Sequence, residues 1–145
     1  MRLHLGSDHG GVTLRDALAA VLREGGHEVV DVAGPKAVDE KADYPDVAGE
    51  VCRAVLADAG SFGLLVCGTG QGMAISANKV QGIRAGVVGD VFSARMIRAH
   101  NDANVICLGE RVTGVELAKA LLDAFVTTDF EGGRHQRRVD KIGSL

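Results

Sequence analysis

The chain has 145 residues and a formal net charge of −3; 46% of its residues are hydrophobic, but only 3% are aromatic. That length suffices for one domain with its own core, and the small negative charge excludes a broad nucleic-acid face. No secretory pattern and no membrane-length apolar run are present, and three cysteines (Cys52, Cys67, Cys107) without a Cys-x-x-Cys pair imply free thiols in a reducing cytoplasm.

Arg2 to Ser7 predicts a first strand, with Leu3 and Leu5 alternating against Arg2 and His4. Asp8-His9-Gly10-Gly11 breaks it. Val12 to Glu24 carries Leu14, Leu18, Val21 and Leu22 at helical spacing, and Gly25-Gly26 marks its end. His27 to Val32 predicts a second strand, and a charged loop with Pro35 runs from Ala33 to Tyr44. Asp43 as N-cap and Pro45 in the first turn start a helix that reaches about Ala59. Phe62 to Cys67 is an apolar run read as a third, buried strand. A glycine loop follows it, then a short helix from Ala74 to Lys79. Ile83 to Val88 predicts strand four, Val91 to Asn101 a helix, Asn104 to Leu108 strand five and Gly114 to Thr127 another helix. After Gly132-Gly133 the basic tail Arg134 to Lys141 is helical.

Alternation of strands and helices without hairpin signals predicts an α/β fold, a parallel sheet of five strands covered on both faces. Ligands of such sheets bind where strand carboxyl ends meet the following loops. Asp8 and His9 follow strand one, Cys67 and Thr69 strand three, Asp90 strand four, and Arg111 comes shortly after strand five. The sequence Cys67-Gly68-Thr69-Gly70-Gln71-Gly72 places a thiol at a strand end and turns the backbone into a helix N-terminus. Backbone N–H groups there suit a phosphate or a developing oxyanion.

Each candidate has a structural alternative. Asp8-His9 could be a cap and a surface histidine, and Cys67 a buried small hydrophobe like Cys52 and Cys107. His100 could be a cation at a helix C-terminus. Arg134 and Arg138, four apart, would share a face that could simply be solvated, with Arg137 off it. Tyr44 could merely pack the loop. His4, His27 and His135 have no partner suggested by sequence, and no cluster has metal-ligand spacing. Gly68, Gly70 and Gly72 give G-x-G-x-G. The dinucleotide pattern wants its third glycine at Met73, and the Gly-Lys-Ser/Thr phosphate-loop ending is absent. Asp31 near the end of strand two keeps a nucleotide-binding regulatory domain open as an alternative.

Seven stretches occur in one order: Ser7-Asp8-His9-Gly10-Gly11, Asp43-Tyr44-Pro45, Cys67 to Gly72, Ser76 to Lys79, Ala99-His100-Asn101-Asp102-Ala103-Asn104, Leu108 to Arg111, and Phe130 to His135. That series closely resembles the ribose-5-phosphate isomerase B family, which also holds galactose-6-phosphate isomerase subunits, and it covers residue 2 to about 142. The resemblance implies a Rossmann-like three-layer α/β/α sandwich and one isomerase domain over 1–145, without metal or cofactor. It implies a homodimer, with a tetramer left open, in which the segment from about 134 to 145 packs at the interface. The partner molecule is a small sugar phosphate, not nucleic acid or membrane. By motif, Cys67 resembles the base that moves a proton between C1 and C2. Some relatives carry Glu at the position of Met73, so this chain is of the Cys type. Thr69 resembles the group that moves the hydroxyl proton, and Asp8 and His100 resemble groups for sugar binding and ring opening. His9, Arg134, Arg138 and Arg111 resemble sugar and phosphate contacts. Asn101 and the N–H groups of Gly68, Gly70 and Gly72 resemble the enediolate cradle, and Tyr44 borders the sugar. The Ala33 to Ala42 connection departs from the usual pattern, so tetrulose 4-phosphate, allose 6-phosphate and galactose 6-phosphate remain alternatives to ribose 5-phosphate.

Overall fold

The computed structural model describes residues 1–145. Its elements are β1 (Arg2–Ser7), α1 (Val12–Glu24), β2 (Glu28–Ala33), α2 (Tyr44–Ala57), β3 (Phe62–Cys67), α3 (Gln71–Ala77), β4 (Ala85–Val87), α4 (Val91–Ala99), β5 (Val105–Gly109), α5 (Val115–Val126) and α6 (Arg134–Gly143). The five strands form one sheet in the order β2-β1-β3-β5-β4, and every pairing is parallel.

The central strand explains the layering. Every residue of β3 is buried. Successive side chains point to opposite faces, so Leu64 and Val66 join α1 and α5 in one core, with Phe125 and Leu121. Leu65 and Cys67 join α2 and α3 in the other, with Val51 and Met73. Each fully buried Leu of this kind contributes about 1.5–3 kcal/mol over an exposed one. Near-absence of aromatics fits these thin layers: Phe62 and Phe125, in edge contact 5.7 Å apart, supply the one large ring pair.

Most boundaries fall within two residues of the sequence reading, and two elements differ in a way that the hydrogen bonding explains. Helix α3 starts at Gln71 rather than Ala74, because Gly70 takes φ 80° as its N-cap and lets the helix begin inside the glycine run. Strand β4 is confined to Ala85–Val87, shorter than Ile83 to Val88. The amide of Ile83 turns back to the Val80 carbonyl and that of Arg84 donates to Asn104 Oδ1 at 2.8 Å, so both are satisfied outside the ladder. The chain passes from β1 outward to β2 and then back to β3 on the other side of β1. The carboxyl ends of β1 and β3, where Ser7 pairs with Val66, therefore flank the topological switch point.

Candidate active site

At that switch point a cavity of about 310 Å³ is lined by Asp8, His9, Gly10, Ala42, Asp43, Tyr44, Gly68 and Arg111. Asp8 is buried, and its Oδ1 accepts the Gly10 N–H at 2.8 Å, closing a local turn instead of capping α1. His9 Nδ1 lies 3.2 Å from the Ala42 carbonyl, which can only accept. Nδ1 therefore carries the hydrogen and Nε2 is left for a ligand. The Tyr44 ring lies over Gly72, where a Cβ would stand 2.8 Å from it. Arg111 crosses Gly68, its side chain within 3.5 Å of where a Cβ would be.

Cys67, one residue before the Gly68 that lines this cavity, is 5% exposed at the end of β3 and is not itself in the lining. Its Sγ accepts the N–H of Gly70 at 3.1 Å. The thiol thus points at the start of α3, with a backbone N–H on its sulfur. Thr69 is exposed, its Oγ1 accepting the Gln71 N–H at 3.4 Å. It borders a second cavity of about 370 Å³ shared with Val112 and Leu117. Cys52 and Cys107 lie in the α2–α3 core; burial pushes the Cys52 thiol up to about 11 and the Cys107 thiol higher still.

The remaining candidates are elsewhere in the protomer. His100 caps the C-terminus of α4, and Arg84, at the amino end of β4, donates to the Asn101 carbonyl at 3.1 Å. Asp102, at φ 48°, pins that turn by accepting from Arg84 at 3.0 Å and Arg98 at 2.9 Å. His100 stacks on His135 of α6, ring centroids 4.1 Å apart and planes 11° apart. Burial, then the His100 ring and the Arg134 guanidinium, hold His135 below the ordinary imidazole range. Arg134 and Arg138 are exposed at the start of the same helix. So Asp8, His9, Tyr44, Cys67, Thr69, Gly68, Gly70, Gly72 and Arg111 gather at the carboxyl edge of the sheet. His100, Asn101, Arg134 and Arg138 gather at the amino edge. From Val105 to Gly109 the edges are about 13 Å apart at ~3.3 Å per residue.

The ribose/galactose isomerase family model matches residues 3–142. The chain belongs to that family. It is 44% identical over 144 residues to the Escherichia coli ribose-5-phosphate isomerase B, covering 99% of this chain and 95% of that one. It is 40% identical to the D-erythrulose-4-phosphate isomerase of Pectobacterium atrosepticum, covering 99% and 93%. The solved Clostridium thermocellum ribose-5-phosphate isomerase B superposes with a TM-score of 0.95 at 46% identity, covering 99% and 96%. The resemblance read from the motifs holds, and the nucleotide-binding regulatory alternative falls away: the chain is an aldose–ketose isomerase.

Within this isomerase frame, three residues that shape the two edges escaped the sequence reading. Arg15, 1% exposed, donates from Nη1 to Ser7 Oγ and to the carbonyls of Ala33 and Pro35, at 3.0, 3.2 and 2.8 Å. It ties the ends of β1 and β2 to the loop leading to Tyr44. Glu110 Oε2 accepts the Leu14 N–H at 2.9 Å and supplies the cap that Gly11 cannot. The third is His135. It had no partner suggested by sequence, because its stack on His100 depends on a helix end more than thirty positions earlier.

Proposed function

We propose that the protein interconverts ribose 5-phosphate and ribulose 5-phosphate through an enediolate, in a site completed by two copies of the chain. The observation that carries the base assignment is that Sγ of Cys67, next in the chain to Gly68 of the switch-point cavity, accepts the Gly70 N–H at 3.1 Å. A thiolate there takes the proton from C2 of the open aldose and returns it to C1, while the Thr69 hydroxyl passes the other proton between O2 and O1. Net redox is internal: C1 is reduced as C2 is oxidised. The charge that develops on oxygen meets the N–H groups of the glycine loop, donors whose loss costs about 3 kcal/mol in comparable sites. His100 and Asp8 open the ring; His9, Arg111, Arg134 and Arg138 hold sugar and phosphate.

Lengths support a two-chain site. Ribose 5-phosphate has a main chain of seven atoms from C1 to phosphorus, the reach of two extended residues, ~7 Å. It does not span the ~13 Å between the two edges of one protomer. A second copy, applied so that its amino edge faces this copy's carboxyl edge, brings His100, Asn101, Arg134 and Arg138 to Cys67. Exposed Phe92, Val112, Val115 and Leu117 beside the carboxyl edge offer the apolar surface such a contact needs.

Ala42 and Asp43 close one side of the cavity, so the 33–42 connection sets how long a sugar fits. A panel of four-, five- and six-carbon aldose phosphates compared by kcat/KM tests the substrate. Ribose 5-phosphate is expected to be fastest; a tetrose or hexose phosphate turning over at least tenfold faster would displace it.

A further inference from the structure

Outside the switch-point cavity the densest set of coordinating side chains is His100, Glu131 and His135. His100 Nε2 stands 3.8 Å and His135 Nε2 3.5 Å from Glu131 Oε2, and the three ligand atoms all lie within 4.8 Å of one another. Zinc takes imidazole nitrogen and carboxylate oxygen at about 2.0–2.2 Å, so two tetrahedral ligands stand roughly 3.4 Å apart. The two separations to Glu131 are within a few tenths of an ångström of that edge, and the two histidine nitrogens, within 4.8 Å of each other, close to it by tilting their rings. We propose that His100, Glu131 and His135 form a three-ligand site for a zinc-type transition ion, and that its occupancy shuts down the isomerase.

The scaffold that holds the ligands is in place without an ion. The Glu131 N–H donates to the Ala99 carbonyl at 3.0 Å and that of His135 to the Gly132 carbonyl at 3.0 Å. The His100 turn is pinned through Asp102 by Arg84 and Arg98. His135 is buried, whereas the Glu131 side chain is 57% exposed and has the freedom to adjust. Binding costs two things. The stacked rings must tilt to aim both lone pairs at one ion, and Arg134, whose Nε is 3.5 Å from His135 Nε2, must swing into solvent. Arg134 is exposed and can do so. Two imidazoles with one carboxylate select zinc, copper or nickel over magnesium or calcium.

The consequence rests on the placement of His100 in the reaction proposed above. With an ion on Nε2, His100 can neither take nor give the ring-opening proton, and the displaced Arg134 leaves the phosphate grip. Zinc is therefore expected to compete with the sugar phosphate and to be reversed by a chelator.

Zinc titrated calorimetrically into the full-length protein, freed of any tag, is expected to bind at one ion per chain, while magnesium gives no heat. Cobalt(II) in its place should show tetrahedral visible bands. Glu131→Gln, at an exposed position, and His135→Asn should each weaken zinc by at least the ~10–100-fold that outer-shell changes cost, with circular dichroism reporting that both stay folded. Absence of zinc binding by wild type, or wild-type affinity in both variants, overturns the site. Zinc bound at one per chain with turnover unchanged upholds the site but overturns the shutdown of the isomerase, and with it the role of His100 in ring opening.

Discussion

A site divided between two copies of a chain can be broken in two places and rebuilt by mixing. On the proposed mechanism Cys67→Ser removes the proton-transfer base, a loss of about 10² to 10⁴ in rate. Arg134→Ala removes part of the phosphate grip, about 2–4 kcal/mol in kcat/KM, or roughly 30- to 1000-fold. In the proposed two-fold dimer each site would take Cys67 from one chain and Arg134 from its partner. A mixed dimer then holds one doubly damaged site and one intact site. Equal amounts with free exchange make about half the dimers mixed, so about a quarter of wild-type sites return. The assay is ketose formation at substrate well below KM, after the two variants are unfolded together and refolded. The expected reading is ~25% of wild-type activity, against a few per cent or less for either variant refolded alone. A mixture no more active than the mean of its parents would refute the shared site and place both residues in one chain's pocket.

Cys67→Ser alone is expected to keep its melting temperature and substrate binding and to lose ~10² or more in kcat; kcat within threefold of wild type would contradict the base role. Cys52→Ser and Cys107→Ser should do the reverse, because burial holds both thiols protonated at neutral pH and a hydroxyl in their apolar core costs about 1–3 kcal/mol of stability. Free ribose should be a poor substrate for wild type, and Arg138→Ala should lower kcat/KM for ribose 5-phosphate without changing turnover of free ribose; equal wild-type activity on the two sugars would sink the phosphate assignment. At the opposite edge, Asp58 accepts hydrogen bonds from Arg2 and His4 Nε2, and the Arg2 contact first of all holds its carboxyl below the ordinary range. A depressed folded-state value gives stability that is present above the ordinary carboxylate pKa, about 3.9, and lost as pH falls through the lower folded value. Asp58→Asn should therefore melt lower than wild type at pH 7 and show a smaller drop below pH 4; parallel pH–melting curves would refute this.

The elements bounded by strong punctuation were legible. β1, α1 and β3 fall between Asp-His-Gly-Gly, Gly-Gly and the glycine loop, and their limits are those read from the sequence. The carboxyl-edge cluster was legible too, because parallel topology alone brings the ends of β1, β3 and β5 together. What periodicity does not carry is contact between distant segments. Arg15 looked like an ordinary polar position in an amphipathic helix, yet it is among the most buried side chains, since α1 lies across the ends of β1 and β2. His4 found its partner in Asp58, at the end of a helix more than fifty residues away. The His100–His135 stack needs α6 folded back under the amino edge, and neither helix signals that by itself.

The chemistry proposed for Cys67 depends on a loop with few side chains to hold it, and the neighbouring loops hold it instead. The Glu110 N–H donates to the Cys67 carbonyl at 2.9 Å and the Arg111 N–H to the Gly68 carbonyl at 3.0 Å. The same Glu110 sends its carboxylate across to the Leu14 N–H at the start of α1. One short turn after β5 therefore fixes the thiol-bearing strand end, the glycine run and the helix that follows Asp8-His9. Each such bond contributes only about 1 kcal/mol net, but together they leave the loop one conformation, with the Gly70 amide already aimed at sulfur. Donors set before the charge develops need no reorganisation when it does. This explains how a segment with three glycines in five residues can serve as a rigid cradle: its order comes from β5 and α1, not from its own side chains.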